Sequence, residues 1–269
     1  MDGTVGSRKG LASARMQQLV DLAAVGAARL RTGTEALAGA GTGAMRIADI
    51  GCDHGFVSLE LIREGIAEHV IASDLREGPL ERAKEHIAQA GLSDRIETRL
   101  AGGFSGLASG ECDGCVIAGM GGALMERILT EGEETAKQMR FLVLQPQSEL
   151  AHFRRFLKEN GYVLLRSEVL CEEGKWYFPM LVTPLPSAEE AEQAMRRQSR
   201  YGDLCFSYGE DLLEEDRGLQ EYLKWERTEL VGLQESLKKL ADPPLERIRE
   251  LEQALELNQK AAGAPEDGI

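Results

Sequence analysis

The fold of this chain is decided by the stretch Ile47-Ala48-Asp49-Ile50-Gly51-Cys52-Asp53-His54-Gly55. It predicts a short buried strand, a glycine turn and then a helix over residues 56–63. A second apolar run, residues 69–73, ends at Asp74 about twenty residues after Gly51. Folds that bind an adenosine follow this order, because the turn lets backbone approach the ligand and the acid accepts hydrogen bonds from ribose hydroxyls. The stretch therefore predicts a nucleoside-cofactor site, with an ordinary strand-to-helix turn as the alternative.

Two cofactor classes fit this pattern, a dinucleotide and S-adenosylmethionine. Dinucleotide sites use G-x-G-x-x-G, because the pyrophosphate lies against the helix N-terminus. Here Asp53 stands between Gly51 and Gly55, and Asp49 precedes them. A carboxylate at contact distance repels a pyrophosphate, whereas S-adenosylmethionine carries an ammonium, a carboxylate and a sulfonium but no phosphate. The turn therefore favours S-adenosylmethionine, and it resembles the first motif of class I methyltransferases with Asp53 in place of the middle glycine.

Strand and helix signals alternate along most of the chain. The predicted strands cover residues 47–50, 69–73, 96–100, 115–118, 141–144, 162–169 and 176–182. The predicted helices cover residues 11–30, 56–63, 79–90, 123–129 and 149–158. This alternation predicts an α/β fold with a doubly wound, Rossmann-like parallel sheet that binds its ligand at the carboxyl edge. The turn Glu173-Gly174 joins the last two strands as a hairpin, which makes the final strand antiparallel.

The character of the chain changes beyond Pro186. Leucines from Leu219 to Leu240 follow a near-heptad spacing, Asp242-Pro243-Pro244 forces a turn, and a second amphipathic helix starts at Leu245. Two such helices predict an antiparallel hairpin. We therefore expect a cofactor-binding domain over residues 11–186 that includes a glycine-rich linker over 33–43. A smaller, coiled-coil-like helical hairpin domain follows over residues 187–260, and a disordered tail over 261–269.

Composition limits the class of protein. With 269 residues, 43% apolar and 28% charged, the chain has the profile of a globular protein of one domain plus an appendage. It has no apolar run of about eighteen residues and no apolar signal core, so we expect no membrane segment and a cytoplasmic location. Five cysteines, an odd number, fit a reducing compartment. Cys112-Asp113-Gly114-Cys115 has C-x-x-C spacing without a second pair, so we predict packing rather than zinc or redox chemistry, and no metal.

The formal net charge is −14. Because phosphate neutralisation dominates the affinity of proteins for nucleic acid, this charge by itself argues against a nucleic-acid partner. Basic clusters on the first helix, at Arg154-Arg155 and at Arg196-Arg197 are the candidate exceptions, although solvated helix faces explain them as well. The sequence leaves the oligomeric state open, a monomer included.

The loop after the fourth strand narrows the function further. It reads Ile117-Ala118-Gly119-Met120-Gly121-Gly122. Enzymes that methylate exocyclic amines usually have Asn/Asp-Pro-Pro-Tyr at this position. Three glycines in four residues instead let backbone amides approach a flat ring, with Met120 against it.

At this point the chain resembles a known family, the bacterial tRNA (adenine-N1)-methyltransferases that modify adenosine 22. The resemblance runs from about residue 11 to about residue 255, and its most specific parts are the first turn and the glycine loop after the fourth strand. The other matching residues are Ser13-Ala14-Arg15-Met16, Asp74 with Gly78-Pro79, Leu144-Gln145-Pro146 and Tyr201-Gly202.

The resemblance implies a class I methyltransferase with a C-terminal helical domain, which uses S-adenosylmethionine to methylate N1 of adenine in tRNA. The cofactor-binding residues that it implies are Arg15, Asp49, Gly51, Asp53, His54, Asp74, Gly102 and Gly119. The catalytic residues would be Asp53 and Met120. Two positions depart from the family pattern. The family commonly has Gly-Asp-Gly where this chain has Ala101-Gly102-Gly103, which removes a carboxylate near the cofactor's adenine, and Tyr-Gly-Pro becomes Tyr201-Gly202-Asp203.

N1 of neutral adenine has a free lone pair, so the enzyme's work is alignment and electrostatic support of the resulting cation. We expect Asp53 to give that support, with His54 either orienting it or bonding a backbone carbonyl. Two other functions remain open: a methyltransferase acting on a small molecule or a protein, and a non-catalytic interaction protein with a relic cofactor fold. A dehydrogenase is disfavoured by the position of Asp53.

Overall fold

A sheet of seven strands organises the described part of the chain, residues 13–32 and 45–263 of a computed structural model. Its first six strands are β1 (Arg46–Ile50), β2 (His69–Asp74), β3 (Ile96–Leu100), β4 (Gly114–Met120), β5 (Phe141–Pro146) and β6 (Val163–Ser167). A separate ribbon of β7 (Leu170–Glu172) and β8 (Lys175–Tyr177) follows, and β9 (Met180–Thr183) returns to the sheet. The predicted glycine-rich linker lies outside the described residues.

The strand order is β3-β2-β1-β4-β5-β9-β6. The first five strands are parallel, and β9 inserts antiparallel between β5 and β6. The chain winds outward in both directions from the neighbouring strands β1 and β4, and ligands of such sheets bind in the crevice at this switch point. Ile50 pairs with Ile117, so the turn after β1 and the glycine loop after β4 leave the sheet side by side. The predicted α/β, doubly wound, Rossmann-like class is confirmed.

Helices cover both faces of the sheet. In the cofactor-binding part they are α1 (Ala14–Thr32), α2 (Phe56–Arg63), α3 (Glu77–Gln89), α4 (Gly122–Glu131), α5 (Glu133–Ala136) and α6 (Leu150–Glu159). Side chains of α1, α2 and α3 pack on one face and those of α4 and α6 on the other. All six residues of β5 are buried, as expected for a strand covered on both faces, and Val143 and Leu144 belong to opposite cores. None of the described helices has the length and apolar character that crossing a membrane requires.

The predicted terminal hairpin is present, but each of its strands is broken. Its turn lies at Glu173-Gly174, where both residues have positive φ angles of 50° and 75°, as in a tight two-residue hairpin. Val169 leaves the ladder because its N–H donates to the carbonyl of Arg217, about fifty residues away. The ribbon β7–β8 therefore projects from the sheet instead of continuing it.

The C-terminal region is helical, as predicted. It contains α7 (Ala188–Tyr201), α8 (Leu204–Tyr208), α9 (Leu219–Lys238) and α10 (Leu245–Ala262). Asn258 donates to the carbonyl of Leu223, and Gln234 donates to Glu252, so α9 and α10 run antiparallel. A disordered tail was expected from Ala261 onward, but Ala261 and Ala262 still belong to α10. Ala261 is buried in a cluster that contains several aromatic residues of this region. The boundaries of the two domains remain a prediction.

Two basic residues proposed as RNA contacts turn out to be buried. Arg154 is 5% exposed and its Nη1 donates to the carbonyls of Phe206 and Ser207, while burial lowers its pKa to about 10. Arg197 is 8% exposed and its Nε donates to Glu214. Both side chains join α6 and α7 to the segment that follows α7, so neither is available to a phosphate.

The C-x-x-C pair packs at the entrance to β4. Cys112 and Cys115 are buried in the core under α4, and burial raises the pKa of Cys112 to about 12. Within residues 13–32 and 45–263, no group of three or more histidine, cysteine or acidic side chains is arranged to hold a metal.

Candidate functional site

A cavity of about 1010 Å³ opens at the carboxyl edge of the sheet, around the switch point between β1 and β4. All nine residues predicted for the site line it, although they come from five separate segments of the chain. They are Arg15, Asp49, Gly51, Asp53, His54, Asp74, Gly102, Gly119 and Met120. The structure thus brings the predicted set together, and the role of each member remains a prediction.

The turn after β1 is held by β2. The N–H groups of Gly51 and Cys52 both donate to the carbonyl of Ser73, at 2.8 and 2.9 Å. Gly51 has a φ of 76°, and a Cβ there would lie 2.2 Å from Cε of Met120. The positive φ favours glycine at this position, and a Cβ there would also displace the methionine that lies over it. Asp53, with a φ of 48°, is one of three described residues other than glycine that have a positive φ.

Two buried carboxylates form the floor of the cavity. Asp49 is 4% exposed and its Oδ2 accepts the hydroxyl hydrogen of Ser58 at 2.6 Å. Burial, with a smaller contribution from nearby Asp74, raises the pKa of Asp49 to about 6. Asp74 is equally buried, and its two oxygens accept the N–H groups of Asp53 and Arg76 at 3.3 and 2.9 Å. The floor is acidic, and it suits the positive end of a ligand.

Asp53 lies at the exposed rim of the same turn. Its side chain is 56% exposed, 3.7 Å from Nε2 of His54 and 4.0 Å from the guanidinium of Arg76. The His54 ring faces Asp53 rather than a backbone carbonyl, and it stacks on Phe56 at 5.8 Å. The backbone carbonyl of His54 is itself in hydrogen-bond contact with another histidine, since Nδ1 of His86 lies 2.9 Å from its oxygen. The 3.7 Å between His54 Nε2 and Asp53 Oδ2 is longer than a hydrogen bond, so the role of His54 remains a prediction.

The loop after β5 holds the glycine loop after β4 in place. The N–H of Gln147 donates to the carbonyl of Met120 at 2.8 Å. The next two side chains cap the first turn of α4: Ser148 Oγ accepts from the N–H of Gly122 at 3.3 Å, and Glu149 Oε2 accepts from the N–H of Ala123 at 3.1 Å. We call these three hydrogen bonds the loop clasp. It fixes the path of the backbone from Met120 into α4.

The rest of the lining includes residues that sequence reasoning missed. Leu75 follows Asp74, is 74% exposed and lies against Gly102, where a Cβ would be 3.3 Å from its Cδ1. Gln147 lines the cavity beside Gly119. The signal for Leu75 was an apolar side chain directly after the strand-ending acid. For Gln147 it was the polar residue that follows Leu144-Gln145-Pro146 at the carboxyl end of a central strand.

Arg15 joins the cavity to the ribbon β7–β8. Its guanidinium lies 5.2 Å from the centre of the Tyr177 ring, and its backbone N–H donates to Glu172 at 3.3 Å. Trp176, the neighbour of Tyr177, packs instead on Tyr222 and Trp225 of α9, with ring centres 5.4 and 5.8 Å apart. The ribbon therefore touches both the cavity lining and the helical hairpin.

These features define the ligand that the cavity can hold. The buried carboxylates of Asp49 and Asp74 and the backbone of the glycine turn form a polar floor. Exposed Leu75 adds an apolar wall. A nucleoside whose positively charged end meets this floor fits such a cavity better than a diphosphate placed there.

Comparison with known proteins agrees with this description. A protein of Bacillus subtilis (strain 168) named tRNA (adenine(22)-N(1))-methyltransferase is 35% identical over 131 residues, which cover 49% of this chain and 55% of that protein. The chain thus matches about half the length of this curated relative. Its fold is that of the crystal structure of the B. subtilis m1A22 tRNA methyltransferase TrmK, with a TM-score of 0.72 at 24% identity, covering 93% of this chain and 98% of that one.

M. capricolum TrmK, solved in complex with S-adenosylhomocysteine, has the same fold, with a TM-score of 0.69 at 17% identity over 95% of this chain and 99% of that one. Residues 32–180 match a family model described as a methyltransferase domain. Since this match covers more than half of the sequence, the chain belongs to the methyltransferase-domain family.

Proposed function

We propose that the protein transfers the methyl group of S-adenosylmethionine to N1 of an adenine in tRNA, at position 22. One observation carries the proposal: the acidic turn after β1 and the glycine loop after β4 meet in one cavity, where Met120 lies over Gly51. A donor held on the turn and a flat base held on the loop would then meet at Met120. The name of the B. subtilis relative supports the same reaction.

The residues present fit the cofactor at each of its parts. Asp74 is the partner for the ribose hydroxyls, and Leu75 with Gly102 supplies the surface for the adenine. Asp49 and Asp53 lie toward the methionine end, where an ammonium and a sulfonium carry positive charge. The cofactor supplies an electrophilic methyl carbon, which the lone pair of N1 takes while the sulfur keeps the electrons of the broken bond.

The protein's own contribution is alignment and electrostatics. N1 of adenine is unprotonated at neutral pH, so no side chain has to act as a base. Asp53 faces the cavity rim and supports the positive charge that passes to the base, and His54 at 3.7 Å orients its carboxylate. The loop clasp fixes the backbone from Met120 to Ala123 before substrate arrives, so that this part of the site needs no reorganisation.

RNA has to reach this cavity despite the net charge of −14. N1 lies on the Watson–Crick edge, so the base must leave its pairing, which costs a few kcal/mol that backbone contacts must offset. With Arg154 and Arg197 buried, the remaining candidates are Arg15 on the lining and the exposed Arg155 and Arg196. We expect affinity for tRNA to fall with added salt, and an affinity unchanged between low and high salt would contradict this binding mode.

The deciding experiment is incubation with unmodified tRNA and labelled cofactor, followed by mapping of the modified nucleotide. Label at N1 of adenosine 22 is the expected result, and such a substrate fits a cytoplasmic enzyme. The acidic charge favours one competing function, methylation of a small molecule or a protein. Absence of label in bulk tRNA, with cofactor binding intact by calorimetry, would favour that alternative.

A further inference from the structure

Gln147 has a placement that the reaction as proposed does not use. Its backbone is fixed by the loop clasp, since its N–H donates to Met120 and the next two residues cap α4. Its side chain is exposed and lines the cavity, and its Nε2 would lie 3.9 Å from a Cβ built on Gly119. A polar side chain is thus held beside the loop where the target base is expected.

The amide of Gln147 also has no hydrogen-bond partner among the described residues. The residues of β4 that line the cavity with it, Ala118, Gly119 and Met120, have no polar side-chain hydrogen. Arg15, on α1, can only donate hydrogen bonds. The amide of Gln147 has both a hydrogen-bond donor and an acceptor. It can therefore pair with a neutral base that presents an acceptor and a donor side by side on one edge.

We propose that Gln147 is the specificity-determining residue for the target adenine, an inference that rests on the proposed function. Its Oε1 accepts a hydrogen from the N6 amine, and its Nε2 donates to N7. This is the bidentate pairing by which glutamine recognises adenine on the Hoogsteen edge. It leaves the Watson–Crick edge, and therefore N1, free to face the methyl donor.

The same pairing explains how adenine is distinguished from guanine, and it also raises the rate of methyl transfer. Guanine has acceptors at both O6 and N7, so the amide oxygen of Gln147 would face one of these acceptors whichever way the amide turned. When N1 gains its methyl group, positive charge spreads to the N6 amine and its N–H groups become better donors. The hydrogen bond to Oε1 therefore strengthens as the reaction proceeds, which lowers the barrier as well as selecting the base.

The test uses RNA substrates with adenosine, 7-deazaadenosine or purine riboside at the target position. The first analogue lacks N7 as an acceptor and the second lacks the amine. For the wild-type protein we expect each analogue to lose about tenfold in kcat/KM relative to adenosine. In Gln147→Ala, adenosine itself falls by about 10- to 100-fold and 7-deazaadenosine falls little further, because N7 no longer has a partner; purine riboside keeps the part of its loss that comes from the weaker nucleophilicity of N1 without the amine.

Gln147→Glu separates the two hydrogen bonds. A carboxylate accepts from the amine but cannot donate to N7, so this variant should keep the loss on purine riboside and remove the loss on 7-deazaadenosine. Gln253→Ala, on the exposed face of α10, is the matched control and should behave as wild type. Cofactor affinity and the unfolding temperature, measured in parallel, report whether each variant is folded.

The outcomes distinguish this inference from the function on which it rests. If the wild-type protein labels no adenosine in tRNA, the proposed function fails. If the wild-type protein is active and Gln147→Ala keeps the wild-type ratio between adenosine and 7-deazaadenosine, the function stands and the assignment of Gln147 is overturned. A variant whose cofactor affinity is normal but whose loss on 7-deazaadenosine has disappeared supports the assignment, because a merely structural role would not move that ratio.

Discussion

Asp49 at the cavity and Arg154 between α6 and α8 are both buried charges, but their surroundings differ. Arg154 donates to two carbonyls of α8, and Asp211 and Glu210 attract its charge. Asp49 has a hydroxyl from Ser58 but no cation beside it in the described residues, and its pKa rises to about 6. A buried charge with partners holds parts of the fold together. One without an opposite charge, on the floor of a cavity, indicates a site for a positively charged ligand.

The largest expected effect comes from removing the partnered charge. Arg154→Ala should lower the free energy of unfolding by about 3–5 kcal/mol, because it leaves the carbonyls of Phe206 and Ser207 without their donor and removes the positive charge near Asp211. Arg155→Ala, on the same helix, removes an exposed guanidinium 4.2 Å from the Phe206 ring and should cost about 1 kcal/mol or less. Denaturant unfolding measures both. Equal losses for the two variants would show that burial does not set the role of Arg154.

Asp53 tests the chemistry at the exposed rim of the acidic cavity. Asp53→Ala should lower the methylation rate constant by about 10²- to 10³-fold, since it removes the charge that supports the methylated base. Single-turnover methylation of tRNA measures the rate, and thermal unfolding should show an intact fold. Near-wild-type turnover would refute the assignment. Glu77→Ala, on α3, is a control acid outside the lining of the cavity.

The raised pKa of Asp49 should make the free energy of unfolding and the affinity for the cofactor depend on pH in opposite directions. Because its folded-state pKa of about 6 lies above the ordinary value of 3.8, the native state binds more protons than the unfolded state between these values. The free energy of unfolding should therefore fall as pH rises from 4 to 6, and Asp49→Asn should raise it by about 2–3 kcal/mol at pH 7.

Cofactor affinity should change in the other direction. A cationic ligand favours the ionised carboxylate, so binding should tighten as pH rises through 6 and should lose this dependence in Asp49→Asn. Chemical denaturation and calorimetry across pH 4–8 measure the two quantities. If Asp49→Asn bound the cofactor as tightly as wild type, the floor would not be the cation site.

The smallest effect is expected from a substitution that restores a carboxylate which this chain lacks. Gly102→Asp introduces the acid that the resembling family carries, beside Leu75 at the adenine end of the cavity. A Cβ at this position comes 3.3 Å from Leu75 Cδ1, and that exposed side chain has room to shift. We expect about fivefold tighter cofactor binding, the worth of one modest hydrogen bond to the adenine amine. Weaker binding would place the adenine elsewhere.

The local sequence pattern correctly predicted the bounds of several elements around the cavity. The helix Phe56–Arg63 and the strand Ile96–Leu100 begin and end where the sequence predicts, because apolar periodicity and glycine turns fix them locally. The helix α7 could also have been found, since Ser187 and Glu190 form a capping box at its start. These elements depend on residues within a few positions of one another.

What the sequence could not predict depends on distant partners. The break after β6 follows from the bond between Val169 and Arg217, and the burial of Arg154 follows from α8. Gln147 was missed because its position comes from contacts with a loop about 26 residues earlier in the chain. Periodicity carries no information on such pairs, so charged residues on amphipathic helices are read as exposed until the packing is known.

The ribbon β7–β8 gives the molecule an optical reporter. The sequence contains two tryptophans, Trp176 on the ribbon and Trp225 on α9, and their rings are 5.8 Å apart. All tryptophan emission therefore originates at the junction between the cavity mouth and the helical hairpin. A substrate that moves the ribbon through Arg15 and Tyr177 would change that emission without any attached dye, and stopped-flow mixing could time its arrival.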